Sequence, residues 1–389
     1  MTLRKDQHAP TSRKVIFLVT EDWYFISHRL PLAHALRQAG WEVVVATQVN
    51  RPEDAAAIES SGLRLVHLPV ERGRMGTLRD LIYLWRIFRL YRRERPQVVH
   101  HVAMKPVLYG SIAARAAGTR GTVNALAGLG YLFTSSSGRA RLARGIVTNC
   151  FRVLFGHARS RLILQNAEDM DLFQRLVRVP SRNLRLIRGA GVDLDHFQPA
   201  GNSGRSEPVV VMVSRMLRDK GVAEFVAAAR ELWRNGVRAR FLLVGGIDAR
   251  NPNSFTQQEL LAFEVSGVIE WQDHQKDIAA IYAAADIAVL PSYREGLPKS
   301  LLEAAACGLP IVTTDTSGCR EVVTDGLNGF LVPVRTVAPL ALALRRLISD
   351  PQLRRQMGAR SRDRAEREFG KDQINRQVAD VYAELSGAR

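Results

Sequence analysis

The chain has 389 residues, 46% of them apolar and 24% charged, with a formal net charge of +17. That length exceeds one ordinary core and suggests two domains, while the composition is that of a soluble globular protein. No run reaches the ~18 uninterrupted apolar residues of a transmembrane helix, and Cys150, Cys307 and Cys319 are too scattered for a disulfide framework or a zinc site.

Residues 1–14, "MTLRKDQHAPTSRK", are charged and lack an apolar stretch, so they do not read as a secretory signal, and a cytoplasmic chain is the default. "KVIFLVT" (14–20) predicts a strand, a helix follows from near Pro31 to Gly40, and "WEVVVAT" (41–47) predicts the next strand. "LRLVHLPV" (63–70), a helix over 77–93 and the strand "QVVHH" (97–101) come next. "GTVNALAGLGYLF" (121–133) is the most membrane-like run, but it is short and rich in glycine. "PAGNSGRSEP" (199–208) reads as a linker, after which the pattern restarts. Strands "VVVMVS" (209–214), "ARFLLVG" (239–245), "VIEW" (268–271) and "DIAVLP" (286–291) follow, with a helix over 221–234.

Strands alternating with helices imply βαβ units and parallel sheets covered on both faces. The expectation is an α/β chain of two doubly wound, Rossmann-like domains facing a cleft, with ligands beyond the carboxyl ends of the strands. Charge separates the halves. Residues 1–200 hold 30 Lys/Arg against 15 Asp/Glu, a net of +15, and residues 201–389 hold 25 against 23, a net of +2. The basic half favours anionic partners such as nucleic acid, a phospholipid surface or a phosphorylated lipid.

"YREGLPKSLLEAAACG" (293–308) follows the strand "DIAVLP". Pro298 suits the first turn of a helix that ends at Gly308, so Glu295 lies in the loop before it and Glu303 about a turn and a half inside. Such a helix mouth presents backbone N–H groups and a positive dipole end to an anion. An ordinary strand–helix joint with two solvated glutamates would look the same in sequence. "VSRMLRDKG" (213–221) supplies Arg215, a planar fork, and Lys220, a point charge, where a strand feeds a helix.

These segments, with "LRLIRGAGVDLDHF" (184–197), resemble the retaining nucleotide-sugar glycosyltransferases of family four, which have the two-domain GT-B fold. The resemblance spans essentially the whole chain. "VLPSYREGLPKSLLEAAACG" and "LVGGIDARNPNS" are most similar to bacterial enzymes that extend lipid-linked saccharides of capsule, O-antigen or glycoprotein glycans. It implies an acceptor domain over 1–199, a nucleotide-sugar domain over 200–368, and a C-terminal crossover helix over 369–389 packing back on the first. It further implies a hexosyltransferase using a UDP-sugar donor and a polyprenyl-diphosphate-linked acceptor, with no cofactor and no metal. Arg215 and Lys220 would stabilise the departing diphosphate, the charge-stabilising role that dominates such catalysis. Glu295 would contact hydroxyls of the transferred sugar and Glu303 the ribose hydroxyls, with Gly296, Leu297 and Gly245 lining the donor. His28, Arg29, His100 and Lys105 are the acceptor-side candidates, although relatives carrying His-x-His place the second histidine at Val102. "DLD" (193–195) reads as a turn near the domain junction rather than a metal motif.

The helix over 77–96 has apolar residues at 81, 84, 85 and 88, with Arg79, Arg86 and Arg93 on another face. The stripe is expected to pack on the core, and the arginines are either solvated or in contact with anionic lipid. "GRARLARGIVTNCFRVLFGHARSR" (138–161) has six arginines and no acid, in keeping with a peripheral enzyme on the inner face of the cytoplasmic membrane. Three other functions compete. A nucleotide-sugar epimerase of this architecture would convert donor without acceptor. An NAD oxidoreductase lacks its G-x-G-x-x-G after the first strand. A nucleic-acid binder would leave the two glutamates unexplained.

Overall fold

The computed structural model describes residues 13–70, 78–126, 138–200, 207–249 and 251–387, with the backbone alone at 138–144 and 146. Residues 201–206, within the expected linker, and residues 127–137 lie outside these residues. The chain divides into two compact units: residues 13–164, 169–187 and 375–387 in one, 165–168 and 188–374 in the other.

The first unit is a seven-stranded sheet of β1 (Arg13–Glu21), β2 (Trp41–Gln48), β3 (Arg64–His67), β4 (Val98–Val102), β5 (Gly121–Leu126), β6 (Ser160–Leu164) and β7 (Leu184–Leu186). Its order is β3-β2-β1-β4-β5-β6-β7 and every pairing is parallel. The second is a six-stranded sheet of β8 (Val209–Val213), β9 (Arg240–Val244), β10 (Ile269–Gln272), β11 (Ile287–Leu290), β12 (Ile311–Thr314) and β13 (Gly329–Val332). Its order, β10-β9-β8-β11-β12-β13, is the same winding, again all parallel. Both units are Rossmann-like, as the GT-B expectation requires. The strands are continuous Val/Ile/Leu runs because helices cover both faces. Ile16, Leu18, Val44 and Val99 pack with Tyr83, Ile87 and Tyr91 on one face of the first sheet. Leu126, Leu162 and Leu164 pack with Phe151, Phe155 and Phe173 in a second cluster.

Three features depart from the sequence reading. First, a helix occupies Asp22–His28, immediately after β1, where a loop was expected; the following helix is Leu30–Gln38. Second, residues 188–199 belong to the second unit rather than to an N-terminal domain ending at 199. The reason is local: Val192 N–H donates to Phe369 O (2.8 Å), Lys371 N–H donates to Val192 O (2.9 Å), and Val192, Phe197 and Phe369 are buried in the second unit's core. The final helix, Lys371–Ser386, accordingly starts in the second unit and joins the first from Asn375 onward. Third, helix Leu78–Glu94 seats Tyr83, Ile87, Leu90 and Tyr91 inward, leaving Leu81 and Trp85 exposed rather than packed on the core. Among the described residues no helix is long and apolar enough to cross a membrane.

Candidate functional site

In a doubly wound sheet the two central strands diverge to opposite sides, and a ligand sits beyond their carboxyl ends. Those strands are β1 and β4 in the first unit, β8 and β11 in the second. Nearly every candidate from the sequence lies on or just after one of them.

In the second unit, β8 runs into Ser214 and Arg215, then a single 3-10 turn at Arg218–Lys220, then helix Val222–Arg234. Gly221 permits this path. Its φ is +77°, and a Cβ there would lie 2.1 Å from Pro291 O at the end of β11. Gly245, at the exit of β9, has φ +142°, and a Cβ would approach Ser214 O to 1.8 Å. Its part is therefore to let two strand ends close up beside Arg215. The cations are already paired. Arg215 Nη1 is 2.9 Å from Asp248 Oδ2, and Lys220 Nζ is 2.5 Å from Glu295 Oε1 in a mostly buried pair.

Beyond β11, Pro298 caps helix Lys299–Ala306, and Gly308 follows at φ +69°, so the glutamates fall where the sequence placed them. Gly296 O accepts from Asn166 Nδ2 at 3.0 Å, and Gly318 has no room for a Cβ because Glu295 O and Gly296 O would both lie 2.6 Å away. Leu297 packs at 2.8 Å from where a Cβ on Gly189 would sit. Glu303 is 8% exposed, and its Oε1 is 3.1 Å from Lys299 Nζ. Burial pushes its carboxyl up, with Lys299 opposing. A buried carboxylate at a helix mouth, held by one lysine, is an acceptor suited to the two hydroxyls of a diol.

The first unit treats its candidates differently. His100 lies in β4, fully buried, stacked on Phe17 at 5.1 Å, with Nδ1 2.5 Å from Tyr382 Oη of the final helix. Burial, then the Arg29 guanidinium, then His101 push its pKa well below the usual imidazole range, so the ring is neutral. Among the described residues its Nε2 has no hydrogen-bond partner, and neither has Nε of Arg29, which is 4% exposed at the joint of the two helices after β1. One inside β4 and one at the joint of the helices after β1, these two buried nitrogens are suited to a ligand's oxygens. His28 stacks on Tyr24 at 4.1 Å, its ring nearly parallel. His101, next to His100 in β4, is a satisfied structural histidine: Nε2 meets Tyr91 Oη (2.9 Å), Nδ1 meets Asn124 Oδ1 (2.8 Å), and burial lowers its pKa to about 4.

Lys105 Nζ lies 3.0 Å from Asp80 Oδ1 of helix Leu78–Glu94, both side chains buried, so at rest its charge is held in an internal ion pair. Asp193 makes an Asx turn, accepting from the N–H groups of Asp195 (3.2 Å) and His196 (3.3 Å), and pairs with Lys371 at 2.5 Å. The sequence reading missed Asp248, Asn166 and Tyr382, each of which orients a candidate from a distant part of the chain. It also missed Asn50, whose side-chain amide bridges Glu21 (2.6 Å) and Asp22 (2.8 Å) at the exit of β1.

Two family models match the chain, "Glycosyl transferase 4-like" over residues 14–166 and "Glycosyl transferases group 1" over residues 195–364. Among characterised relatives, a Campylobacter jejuni N,N'-diacetylbacillosaminyl-diphospho-undecaprenol alpha-1,3-N-acetylgalactosaminyltransferase is 28% identical over 353 residues, covering 85% of this chain and 90% of its own. An Escherichia coli UDP-Gal:alpha-D-GlcNAc-diphosphoundecaprenol alpha-1,3-galactosyltransferase is 27% identical over 304 residues, covering 75% of this chain and 76% of its own. The crystal structure of Anabaena HepE in complex with UDP superposes with a TM-score of 0.76 at 17% identity, over 95% of this chain and all of that one, a likeness of fold.

Proposed function

The chain is a glycosyltransferase, 4-like in its N-terminal half and group 1 in its C-terminal half, and on that premise we propose that it transfers a sugar from a UDP-sugar to a polyprenyl-diphosphate-linked saccharide during assembly of a bacterial polysaccharide or glycan. The transferred unit is a hexose or N-acetylhexosamine, and anomeric configuration is retained. The observation that carries the donor side is the charge set at the exits of β8 and β11: Arg215, the Lys220–Glu295 pair, and the buried Glu303 behind them.

As the donor's glycosidic C–O bond breaks, negative charge develops on the diphosphate. Arg215 and Lys220 exchange their carboxylate partners for its oxygens, stabilising that charge where a metal ion acts in other transferases. Glu295, released from Lys220, accepts from the sugar's hydroxyls, and Glu303 accepts from the ribose. The acceptor hydroxyl attacks from the face the leaving group vacates, and its proton passes to the departing phosphate oxygen. No protein nucleophile is needed. The acceptor side rests on Arg29 and His100, whose unpartnered nitrogens suit a phosphate or saccharide oxygen, with His28 beside them. The relatives support the acceptor class, since both names carry a diphospho-undecaprenol-linked saccharide and one carries UDP-Gal. Such an acceptor places the work at the cytoplasmic membrane, with the basic first unit toward its anionic surface.

The test is ligand-induced melting of wild type and Glu303→Ala with UDP, GDP, NAD and a short RNA. Nucleotide at about a hundred times its Kd stabilises by about 2.7 kcal/mol. The reading expects a shift with UDP alone, lost in the variant. Transfer that stops when divalent ions are chelated would refute the metal-independent part. A strong shift with RNA and none with UDP would refute the whole.

A further inference from the structure

On the ribose role proposed above for Glu303, we infer that Lys299 is a positioning residue for the nucleotide donor, holding the Glu303 carboxylate charged and oriented. Helix stability does not account for a lysine here. Lys299 begins helix Lys299–Ala306, where the dipole is positive and a cation is unfavourable, and the first turn has no acidic residue to offset it. The order of the pair is also the poorer one, since an i, i+4 ion pair supports a helix best with the glutamate N-terminal to the lysine. Even so, Nζ lies 3.1 Å from Glu303 Oε1, with the lysine side chain 31% exposed and that of the glutamate 11%. The pair runs against both helix preferences, and its effect falls on the buried carboxylate.

Little else keeps that carboxylate ionised. Helix Ile278–Ala283 brings Tyr282, fully buried, whose Oη donates to Ser300 O at 2.7 Å and whose pKa rises through burial and then the Glu303 charge. One turn beyond Glu303 lies Cys307, its thiol pushed up to about 12 by burial and then by Glu303. Helix Pro351–Arg364 brings Arg362, but that guanidinium is taken by Ala306 O (2.7 Å), Phe197 O (2.8 Å) and Glu366 (2.6 Å). β11 is wholly apolar, and in β12 the hydroxyls of Thr313 and Thr314 go to Leu290 O and Ser292 O. The turn Ala365–Phe369 buries Ala365 and Phe369. Burial raises the Glu303 carboxyl most; Lys299 opposes it by charge and hydrogen bond, and the exposed His196 opposes it less. Among the described residues Lys299 is the one cation within ion-pair distance of Glu303. Without it, burial acts on the carboxyl almost unopposed, and a protonated carboxyl places a donor where the two hydroxyls of a diol need acceptors.

In the full chain labelled at its glutamate carboxyls, NMR follows the Glu303 titration with no ligand present, the signal being the one lost in Glu303→Gln. Lys299→Met should raise the midpoint by about one pH unit or more, whereas Lys299→Arg, which keeps the charge, should leave it near wild type. Lys299→Gln reads the same change should Lys299→Met not fold. UDP binding, measured across the same pH range, should follow. Below both midpoints Lys299→Met should bind about tenfold more weakly for each pH unit by which the midpoint moved, and above both it should match wild type. The titration of UDP itself cancels between variants. A wild-type midpoint in Lys299→Met would overturn the inference. So would a loss of UDP affinity equal at every pH, which would make the lysine a direct contact. Glu303→Gln binding UDP as tightly as wild type would instead refute the ribose role, and this inference with it.

Discussion

At the exits of β8 and β11, Arg215 already holds Asp248 and Lys220 already holds Glu295, whereas in the first unit the buried Arg29, after the helix that follows β1, and His100, within β4, each keep a nitrogen without a partner among the described residues. One winding of the chain thus serves two strategies for recognising a polar ligand. In the second unit, charge is compensated at rest, and on the proposed reading a diphosphate would have to compete for these cations by offering more oxygens in better geometry than a carboxylate. In the first, the ring of His100 is kept neutral by burial and fixed by Tyr382, so a ligand there, on the proposed reading, would complete hydrogen bonds rather than exchange ion pairs. The contrast teaches that a lysine or histidine at a strand exit has no fixed role. Its partner decides.

Two lysines put that contrast under the greatest strain. Lys105→Ala leaves Asp80 charged in the core and should cost about 3–5 kcal/mol of stability by chemical denaturation; an unchanged midpoint would return Lys105 to the ligand. Lys220→Ala should leave the fold nearly intact and lower kcat about 10²–10³-fold, whereas a rise in KM at constant kcat would mean the lysine only binds. Tyr382→Phe strands the buried Nδ1 of His100 and should cost about 1–3 kcal/mol, read by thermal melting. A melting point equal to wild type would show that the tyrosine does not position the imidazole.

Two carboxylates, one in each unit, shift in opposite directions. In the first, burial works against Glu94, but hydrogen bonds from Arg64, Lys14 and Arg93 hold its carboxyl down to about 2. Its folded pKa lies below the unfolded value of 4.5, so its contribution is present above 4.5 and is lost as pH falls toward 2. In the second, Glu303 is raised above 4.5 by burial, so the folded state holds the extra proton and stability declines as pH rises from 4.5 through the folded value. Scanning calorimetry of Glu303→Gln should show that decline removed and the UDP response lost together; an unaltered pH profile would place Glu303 in water. The smallest effect concerns Ala103, which leaves β4 at φ +79°, ψ 163°, a conformation costly for a side chain. Ala103→Gly should stabilise by less than about 1 kcal/mol after the entropy it adds to the unfolded chain; destabilisation would show the methyl group is packed rather than strained.

Sequence served well where the signal was local. The strands called in both halves read as apolar runs because helices cover both faces of each sheet, and Pro298 and Gly308 bracketed helix Lys299–Ala306. Arg215, Lys220, Glu295 and Glu303 lie within two short segments, so their motif survives without any knowledge of tertiary contacts. Asn166 and Tyr382 act across 130 and 282 residues, and no periodicity encodes such a pairing. Helix Asp22–His28 escaped notice because no side chain caps its start. For helix Leu78–Glu94 the expected stripe was half right, with Leu84 and Phe88 packed against the core and Leu81 and Trp85 exposed, because the helix is apolar on two sides. Period alone cannot choose between Tyr83–Ile87–Leu90 and Leu78–Leu81–Trp85, and the sheet selected the former.

The final helix has a consequence for how the molecule is made. His100 and Trp41, which Tyr382 meets edge-on at 5.7 Å, leave the ribosome long before Tyr382 does. At about 5–20 residues per second, the 282 residues separating His100 from Tyr382 take on the order of 10–60 s to synthesise. The second unit, contiguous from Arg188 to Ile374 apart from one short segment, is fully emerged before the helix that finishes the first. Vectorial folding from the N-terminus is therefore interrupted: the earlier-made Rossmann unit is the later one to close.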